Sequence, residues 1–460
     1  MTDVLKFGGT SVGSAGRIRD VARLVGSHGK DPSLVVVSAM AGVTDRLVGL
    51  KSASKGKERA AAEAALDDLE GRHRSALDGL AIPESERRAC AVAIEEEMRR
   101  CRELSLGISL LEEVSPRTSD ALLAVGELIC SRLVAAALRA GGTEAVWIDP
   151  REILATDRVH GAALADEKET AVRVAAHVAP HLAAGRTVVT GGFVGAAPDG
   201  STTTLGRGGS DYSAALFGAA LHDIGRDVGR IEIWTDVDGI LTADPRVVPG
   251  ARLVPEVSYP EAAELAFFGA KVLHPATIRP AVARDIPVAV KNTFRPECPG
   301  TVVRRDVVGS GVRAVAMRSG VTALFVGSPR MLLAHGYAAK VFSVFEKHGV
   351  PVDVIATSEV SISITVDEKA SLEGVVRDLS EFAEVSILKH LAVVSVVGKA
   401  LRSTAGVAVR IFGAVGDVNV VLISQGASDT NVTFVVDGKD APEALRRLHR
   451  EFFESEGQGR

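Results

Sequence analysis

Apolar residues in the first two-thirds of the chain fall into short β-branched blocks separated by longer stretches of helical spacing. Residues 4–7, 33–39, 144–148, 187–190, 230–235 and 286–290 read as strands. The 33–39 block, SLVVVSA, has no polar face, which predicts a strand buried between two layers. Helical patterns lie between most of the strands, beginning at 15–25. This alternation predicts an α/β fold in which a mostly parallel sheet is sandwiched by helices and ligands bind beyond the carboxyl ends of the strands. Residues 54–111 depart from it, being rich in Ala, Glu, Arg and Lys and poor in β-formers. They read as two helices broken near Ile82-Pro83, within a surface insertion spanning about 51–115 that is also a candidate subunit contact. A further helix is expected from an N-cap pair at Thr118/Ser119 to Arg139, stopped by Gly141-Gly142, with Glu127 in its middle.

The texture changes around 294–311, where Pro296, Pro299, Gly300, Gly309 and Gly311 cluster and mark a domain boundary. Beyond it lies an internal repeat, 338–367 and 404–437, each copy a helix, a turn, a strand, a short loop and a second strand. A further helix follows each copy, near 369–382 and 442–453, so two small ferredoxin-like βαββαβ units are expected. The division is then 1–295, a linker at 296–320, and units at 321–390 and 391–460. Phe342, Phe345 and Phe412 fall on helical spacing and read as core.

Composition narrows the function classes. The 460 residues include 53 basic and 58 acidic ones, a net charge of −5, which argues against a broad basic face for nucleic acid. Mean hydropathy is +0.19, yet no apolar run is expected to approach the ~20 residues of a membrane span. The first residues lack the basic and apolar regions of a signal peptide. Cys90, Cys101, Cys130 and Cys298 stand far apart and read as reduced thiols of a cytoplasmic protein. His177 and His181 have the spacing of helical metal ligands, but Pro180 intervenes and no zinc motif is completed, so no protein metal site is expected.

Five segments carry candidate chemistry. In Lys6-Phe7-Gly8-Gly9-Thr10-Ser11, a lysine ends the first strand ahead of paired glycines and two hydroxyls, which suits an anion approached by backbone N–H groups. Taken alone it reads equally as a strand-to-helix turn with a solvated lysine. In Leu205-Gly206-Arg207-Gly208-Gly209-Ser210-Asp211, Arg207 offers a planar fork for a carboxylate, and Asp211 stands where it could bond helix N-terminal amides or merely cap. Trp234-Thr235-Asp236-Val237-Asp238-Gly239 ends a buried strand in a polar turn and lacks the later ligands of a calcium loop. Lys271 lies in Phe268-Gly269-Ala270-Lys271, at an expected helix end, and Ser38 and Thr44 lie in a loop after the second strand.

Together and in this order, KFGGTSV, TLGRGGSDYSA, WTDVDGI with TADPR, and FGAKVLHPAT resemble the aspartate kinases of the amino-acid kinase superfamily over essentially the whole chain. The two repeat copies, VDVIATSEVSISITVD and NVVLISQGAS among them, resemble that family's tandem ACT regulatory units. The resemblance implies an amino-acid kinase fold followed by two ACT domains, of the homo-oligomeric, lysine-sensitive type; the 460-residue length and the missing dinucleotide fingerprint lead us to expect no fused homoserine dehydrogenase. It implies ATP as phosphoryl donor, Mg²⁺ as cofactor and L-aspartate as acceptor. Lys6 would neutralise the transferring phosphoryl group, Gly8 and Gly9 would close their backbone on the phosphates, and Asp211 would orient the lysines and the substrate amine. Arg207 would hold the α-carboxylate of aspartate and Glu127 its α-ammonium, with Ser38, Thr44 and Ser210 adding hydroxyls. Thr235, Asp236, Arg246 and Lys271 would face the nucleotide. Leu241 stands in the same loop, where the family often has a tyrosine, which weakens adenine stacking there.

The two copies also differ in charge. An ungapped alignment through Val352–Glu359 pairs Asp353 with Asn419, Ser358 with Ser424, and Glu359 with Gln425. Copy one therefore suits a cationic amino acid such as lysine, whereas threonine is the other effector the family suggests. The resemblance places Met331, Gly336, Tyr337 and Ala338 on the other side of the effector pocket, between ACT units of a homodimer or homotetramer. Alternatives are a kinase of the same fold acting on glutamate or N-acetylglutamate, and an amino-acid sensor with a dead kinase half.

Overall fold

A computed structural model describes residues 1–29, 31–268, 273–328 and 335–454. The chain forms two compact units, Met1–Gly239 with His274–Arg305, and Ile240–Leu273 with Asp306–Arg460.

The first unit is built on a sheet whose strands, all but Thr301–Arg304, match apolar blocks of the sequence. The strands are Thr2–Phe7 (β1), Leu34–Val37 (β2), Ala145–Trp147 (β3), Thr187–Gly191 (β4), Val228–Thr235 (β7), Val288–Asn292 (β9) and Thr301–Arg304 (β10), with a hairpin of Val194–Ala196 (β5) and Thr202–Thr204 (β6). Their order is β3-β4-β2-β1-β7-β9-β10, parallel throughout except for β9 against β10. Every residue of β2 and β4 is buried, as helices on both faces of a parallel sheet require. The chain leaves β1 toward β2 on one side, while β7 lies on the other. The carboxyl end of β1 is therefore a topological switch point.

The insertion forms helices Arg59–Asp78 and Glu84–Leu111, broken at Pro83 as expected. It is more than a surface addition. Leu66, Leu69, Ile94 and Met98 join the same core as Leu5, Phe7 and Val35. The next helix begins earlier than the Thr118/Ser119 pair suggested. Ser115 is the N-cap, its Oγ accepting from Thr118 N at 3.1 Å, with Pro116 at the first helical position. Proline there has its φ preset and lacks only an N–H that would have no helical partner, so it starts the helix. Helices Pro116–Leu123 and Val125–Ala140 follow, with Gly141 as the terminating cap. By length and composition Pro116–Ala140 is apolar enough to cross a membrane, contrary to the expectation above, and the burial of 83% of its most apolar window inside the protein accounts for that character.

The second unit contains Glu256–Ser258 (β8), helix Tyr259–Phe267 and one six-stranded antiparallel sheet. The sheet strands are Gly311–Gly327 (β11), Ile355–Thr357 (β12), Ser361–Asp367 (β13), Glu384–Lys399 (β14), Val420–Gln425 (β15) and Asn431–Asp437 (β16), in the order β12-β13-β11-β14-β16-β15. Two long strands run through both repeat copies. The far half of β11 pairs β13, and the far half of β14 pairs β16. The halves meet at Gly320 and His390, both at positive φ, where Glu368 N donates to Gly320 O and Gly438 N to His390 O, each at 2.8 Å. Two features of the contiguous division do not hold. Residues 301–304 and 311–319, expected within a linker, are sheet strands, and 240–273 belong to the second unit. A glycine-rich, charged stretch looks like linker locally, but a neighbouring strand supplies its backbone partners.

Candidate functional site

The carboxyl ends of the central strands are stitched together by backbone hydrogen bonds: Gly8 N to Trp234 O (3.0 Å), Ser38 N to Phe7 O (3.1 Å), Ala41 N to Gly9 O (3.1 Å) and Gly192 N to Val37 O (2.9 Å). Above them lies a cavity of about 390 Å³ lined by Lys6, Gly9, Ser38, Thr44, Glu127, Arg207, Ser210 and Asp211, all named from the sequence. A larger hollow of about 780 Å³, beside Arg19 and Arg23, holds none of them. The glycine argument applies to Gly9, where a Cβ would stand 2.8 Å from Ala39 O. At Gly8 a Cβ would make only ordinary contacts, and Gly8 is not in the cavity wall.

The charges of the cavity are distributed unevenly. Lys6 Nζ stands 2.6 Å from Asp211 Oδ1, both side chains largely buried. Asp211, in the first turn of helix Gly209–Asp223, is thus a partner for lysine as well as a cap candidate. Arg207 is exposed and has no ion-pair partner among the described residues. Glu127 is buried, and its Oε2 lacks a hydrogen-bond partner among the described residues. Burial pushes its carboxyl up to about 8, against backbone N–H bonds, one from Ala39, that favour the anion. A carboxyl with one unpartnered oxygen and a guanidinium without an ion pair among the described residues line the same cavity, a pairing of groups complementary to a zwitterion.

Sequence reasoning missed three contributors. Phe193 lines the cavity at φ +66°, rare for a bulky residue, and the preceding Gly191-Gly192 pair was the available signal. Asp45 lines it from the first turn of helix Val43–Lys55. Asp120, wholly buried, accepts from Thr204 Oγ1 at 2.6 Å, lies 3.0 Å from His160 Nδ1 and accepts from Gly161 N at 3.0 Å. It thereby anchors the strand that leads into the Arg207 loop, and a lone carboxylate in an apolar helix was its signal.

The remaining candidates lie elsewhere. Thr235 and Asp236 end β7 in the first unit, with Thr235 Oγ1 donating to Asp236 Oδ1 at 3.2 Å. In the second unit, Leu241 bridges Leu253, and exposed Arg246 forks Asp244, with NH2 to Oδ2 at 2.6 Å. Lys271 and Met331 lie outside the described residues. Gly336 is the left-handed N-cap of helix Tyr337–Lys347, and Tyr337 packs edge-on against Phe382, with Ala338 exposed beside it. Asp353, read from sequence as free for an effector or solvated, is half-buried and paired with Arg318. Its carboxyl is pushed up by burial, with Arg318 opposing. Ser358 Oγ lies 2.7 Å from Ser361 Oγ in an exposed turn, where Glu359 is exposed.

Comparison with known proteins bears on the whole arrangement. Residues 1–292 match the amino acid kinase family, and 325–381 and 394–452 match an ACT domain family. The chain is 38% identical to the lysine-sensitive aspartokinase 3 of Escherichia coli (strain K12), over 98% of this chain and 99% of that protein. A crystal structure of E. coli aspartokinase III in complex with aspartate and ADP (R-state) superposes with a TM-score of 0.82 at 37% identity, covering 98% of this chain and 100% of that one. The complex of the same enzyme with lysine and aspartate (T-state) gives 0.83, covering 98% and 99%. With the fold, the paired ACT copies and the sequence similarity all in agreement along nearly its full length, the chain belongs to the amino acid kinase family and, within it, to the aspartokinases.

Proposed function

We propose that the chain transfers the γ-phosphoryl group of ATP to the β-carboxylate of L-aspartate, giving ADP and 4-phospho-L-aspartate, the step that opens lysine, threonine and methionine biosynthesis. The observation that carries this reading is the single cavity that unites Lys6, Asp211, Arg207 and the unpaired Glu127. Arg207 grips the α-carboxylate, Glu127 takes the α-ammonium, and Ser38, Thr44 and Ser210 hold the substrate by hydroxyl bonds. That leaves the β-carboxylate as nucleophile. It is already ionised at neutral pH, so no general base is needed. Catalysis consists of in-line positioning and cancellation of charge between two anions. Lys6, held by Asp211, supplies a positive charge to the transferring group, and the backbone of Gly8 and Gly9 closes on the phosphates. Thr235 and Asp236 face the nucleotide, as do Leu241 and Arg246, with Lys271 reaching its phosphates. Among the described residues no three His, Cys, Asp or Glu side chains converge on a metal position. A Mg²⁺ carried on the nucleotide phosphates would offset their charge.

Feedback control follows from the second unit. Lysine binds copy one at Asp353, Ser358 and Glu359, with Met331, Gly336, Tyr337 and Ala338 completing the pocket across a homodimer or homotetramer in the cytoplasm. Because Asp353 already has Arg318 as partner, the effector ammonium shares or displaces that arginine.

An ATP-dependent hydroxamate assay with aspartate, glutamate or no acceptor tests the reading. Aspartate-dependent hydroxamate is expected, suppressed by lysine. Product with glutamate alone, or none with either, overturns it.

A further inference from the structure

Residues 240–246, which carry Leu241 and Arg246 of the proposed nucleotide loop, are built into the core of the second repeat copy. Ala243 and nearby Val248 are buried with Val396, Ile411, Leu445 and Leu448. Between Leu241 and Ala243 stands Thr242, with its backbone tied at both ends. Its N–H donates to Arg252 O, and its carbonyl accepts from Val315 N, each at 2.8 Å. Its hydroxyl accepts from Arg252 N at 2.9 Å and lies 3.0 Å from Nε2 of His449. His449 ends helix Ala441–His449, is fully buried, and places Nδ1 3.0 Å from Glu454 Oε1.

The direction of these bonds is determined by what each atom can do. A carboxylate only accepts, so Nδ1 carries the hydrogen. In the arrangement where Nε2 accepts, it takes the Thr242 hydroxyl hydrogen, and that oxygen accepts from Arg252 N–H. Donors and acceptors are fully matched in one chain. The turn Arg450–Glu454 is π-helical, a geometry in which residues five apart share a face, as they do not in an α-helix. That rare turn is what brings Glu454 back under His449.

We infer that the Glu454–His449–Thr242 chain is a positioning device for the nucleotide. It fixes the backbone from which Leu241 and Arg246 meet ATP, and makes the final helix of the second ACT copy a structural support of ATP binding but not of aspartate binding. His449 and Thr242 are positioning residues, and the inference rests on reading 240–246 as a nucleotide loop.

Steady-state kinetics on the full chain tests it. His449→Phe and Thr242→Val are each expected to raise KM for ATP about tenfold, the scale of a lost buried hydrogen bond. KM for aspartate stays within about twofold, and kcat at saturating ATP changes little. Thr242→Ser, which keeps the hydroxyl, restores ATP binding, and the double variant is no worse than either single one because both break the same chain. Should His449→Phe fail to fold, Thr242→Val carries the test with almost no change of volume. Unchanged KM for ATP in Thr242→Val, or an equal rise in both KM values, overturns the inference. Arg246→Ala separates the two layers. If it raises KM for ATP while Thr242→Val does not, only the bracing fails; if Arg246→Ala also changes nothing, the loop reading fails and the bracing with it.

Discussion

In the proposed reading, the cavity of the first unit and the effector region of the second both present carboxylates to an incoming ammonium, but they hold them in opposite states. Glu127 is buried in the cavity wall with an oxygen that has no partner among the described residues, and burial pushes its carboxyl up to about 8. Asp353 is half-buried, and Arg318 already engages it. On that reading, a substrate arriving at Glu127 would complete a site, whereas an effector arriving at Asp353 would have to rearrange one. The first arrangement suits preorganised catalysis; the second suits a two-state switch, because the ligand and an internal cation compete for the same carboxylate.

Four experiments would break or sharpen this contrast. The largest effect is expected for Lys6→Ala, which removes a charge made for the transition state. It should fold, judged by an unchanged unfolding midpoint, yet lose about 10²-fold or more in kcat, roughly 3 kcal/mol. Near-normal turnover would remove Lys6 from the chemistry.

Next comes Glu127→Gln, expected to raise KM for aspartate by about tenfold or more with a smaller change in kcat. In the wild type, Glu127 must be ionised to pair with the ammonium, so KM for aspartate should fall about fivefold from pH 7 to pH 8, as the ionised fraction of a group near 8 dictates. The Gln variant should show no such slope. The stability sign is also defined. The folded value lies above the ordinary 4.5, so the folded protein binds the proton more tightly, and stability is lost as pH rises from about 4.5 to about 8. Thermal melts of Glu127→Gln should lack that component.

A smaller effect is expected for Glu359→Gln, which leaves basal activity alone and weakens lysine inhibition by about five- to tenfold. Unchanged inhibition would take Glu359 out of the pocket. The smallest is Arg318→Met, which frees Asp353 and should lower the half-inhibiting lysine concentration about threefold. If inhibition instead weakens, Arg318 belongs to the bound state and the competition does not exist.

The legibility of the molecule followed the range of the interactions concerned. Strand blocks such as SLVVVSA, the helix break at Pro83 and the cavity-lining residues Lys6, Arg207 and Asp211 were all readable, because period, turn chemistry and motif spacing are local properties. Phe193 and Asp120 escaped notice because each looks ordinary in its own segment and acquires its setting from another one, Phe193 N donating to Ser213 Oγ and Asp120 accepting from Thr204 Oγ1. The start of helix Pro116–Leu123 was misplaced for a local reason, since a proline at the first position outranked a later hydroxyl pair.

By itself, the order of residues determined which segments could be strands, which turns could approach an anion, and that a charge-asymmetric repeat closes the chain. Only the tertiary structure decided that 240–273 fold with the regulatory sheet, that 311–319 supply a strand to it, that Glu127 is left unpaired while Asp353 is not, and that His449 reaches Thr242. The reason is that burial and partner choice are properties of convergence. A side chain's charge state and hydrogen bonds depend on what packs against it from elements hundreds of residues away, and no local pattern encodes that.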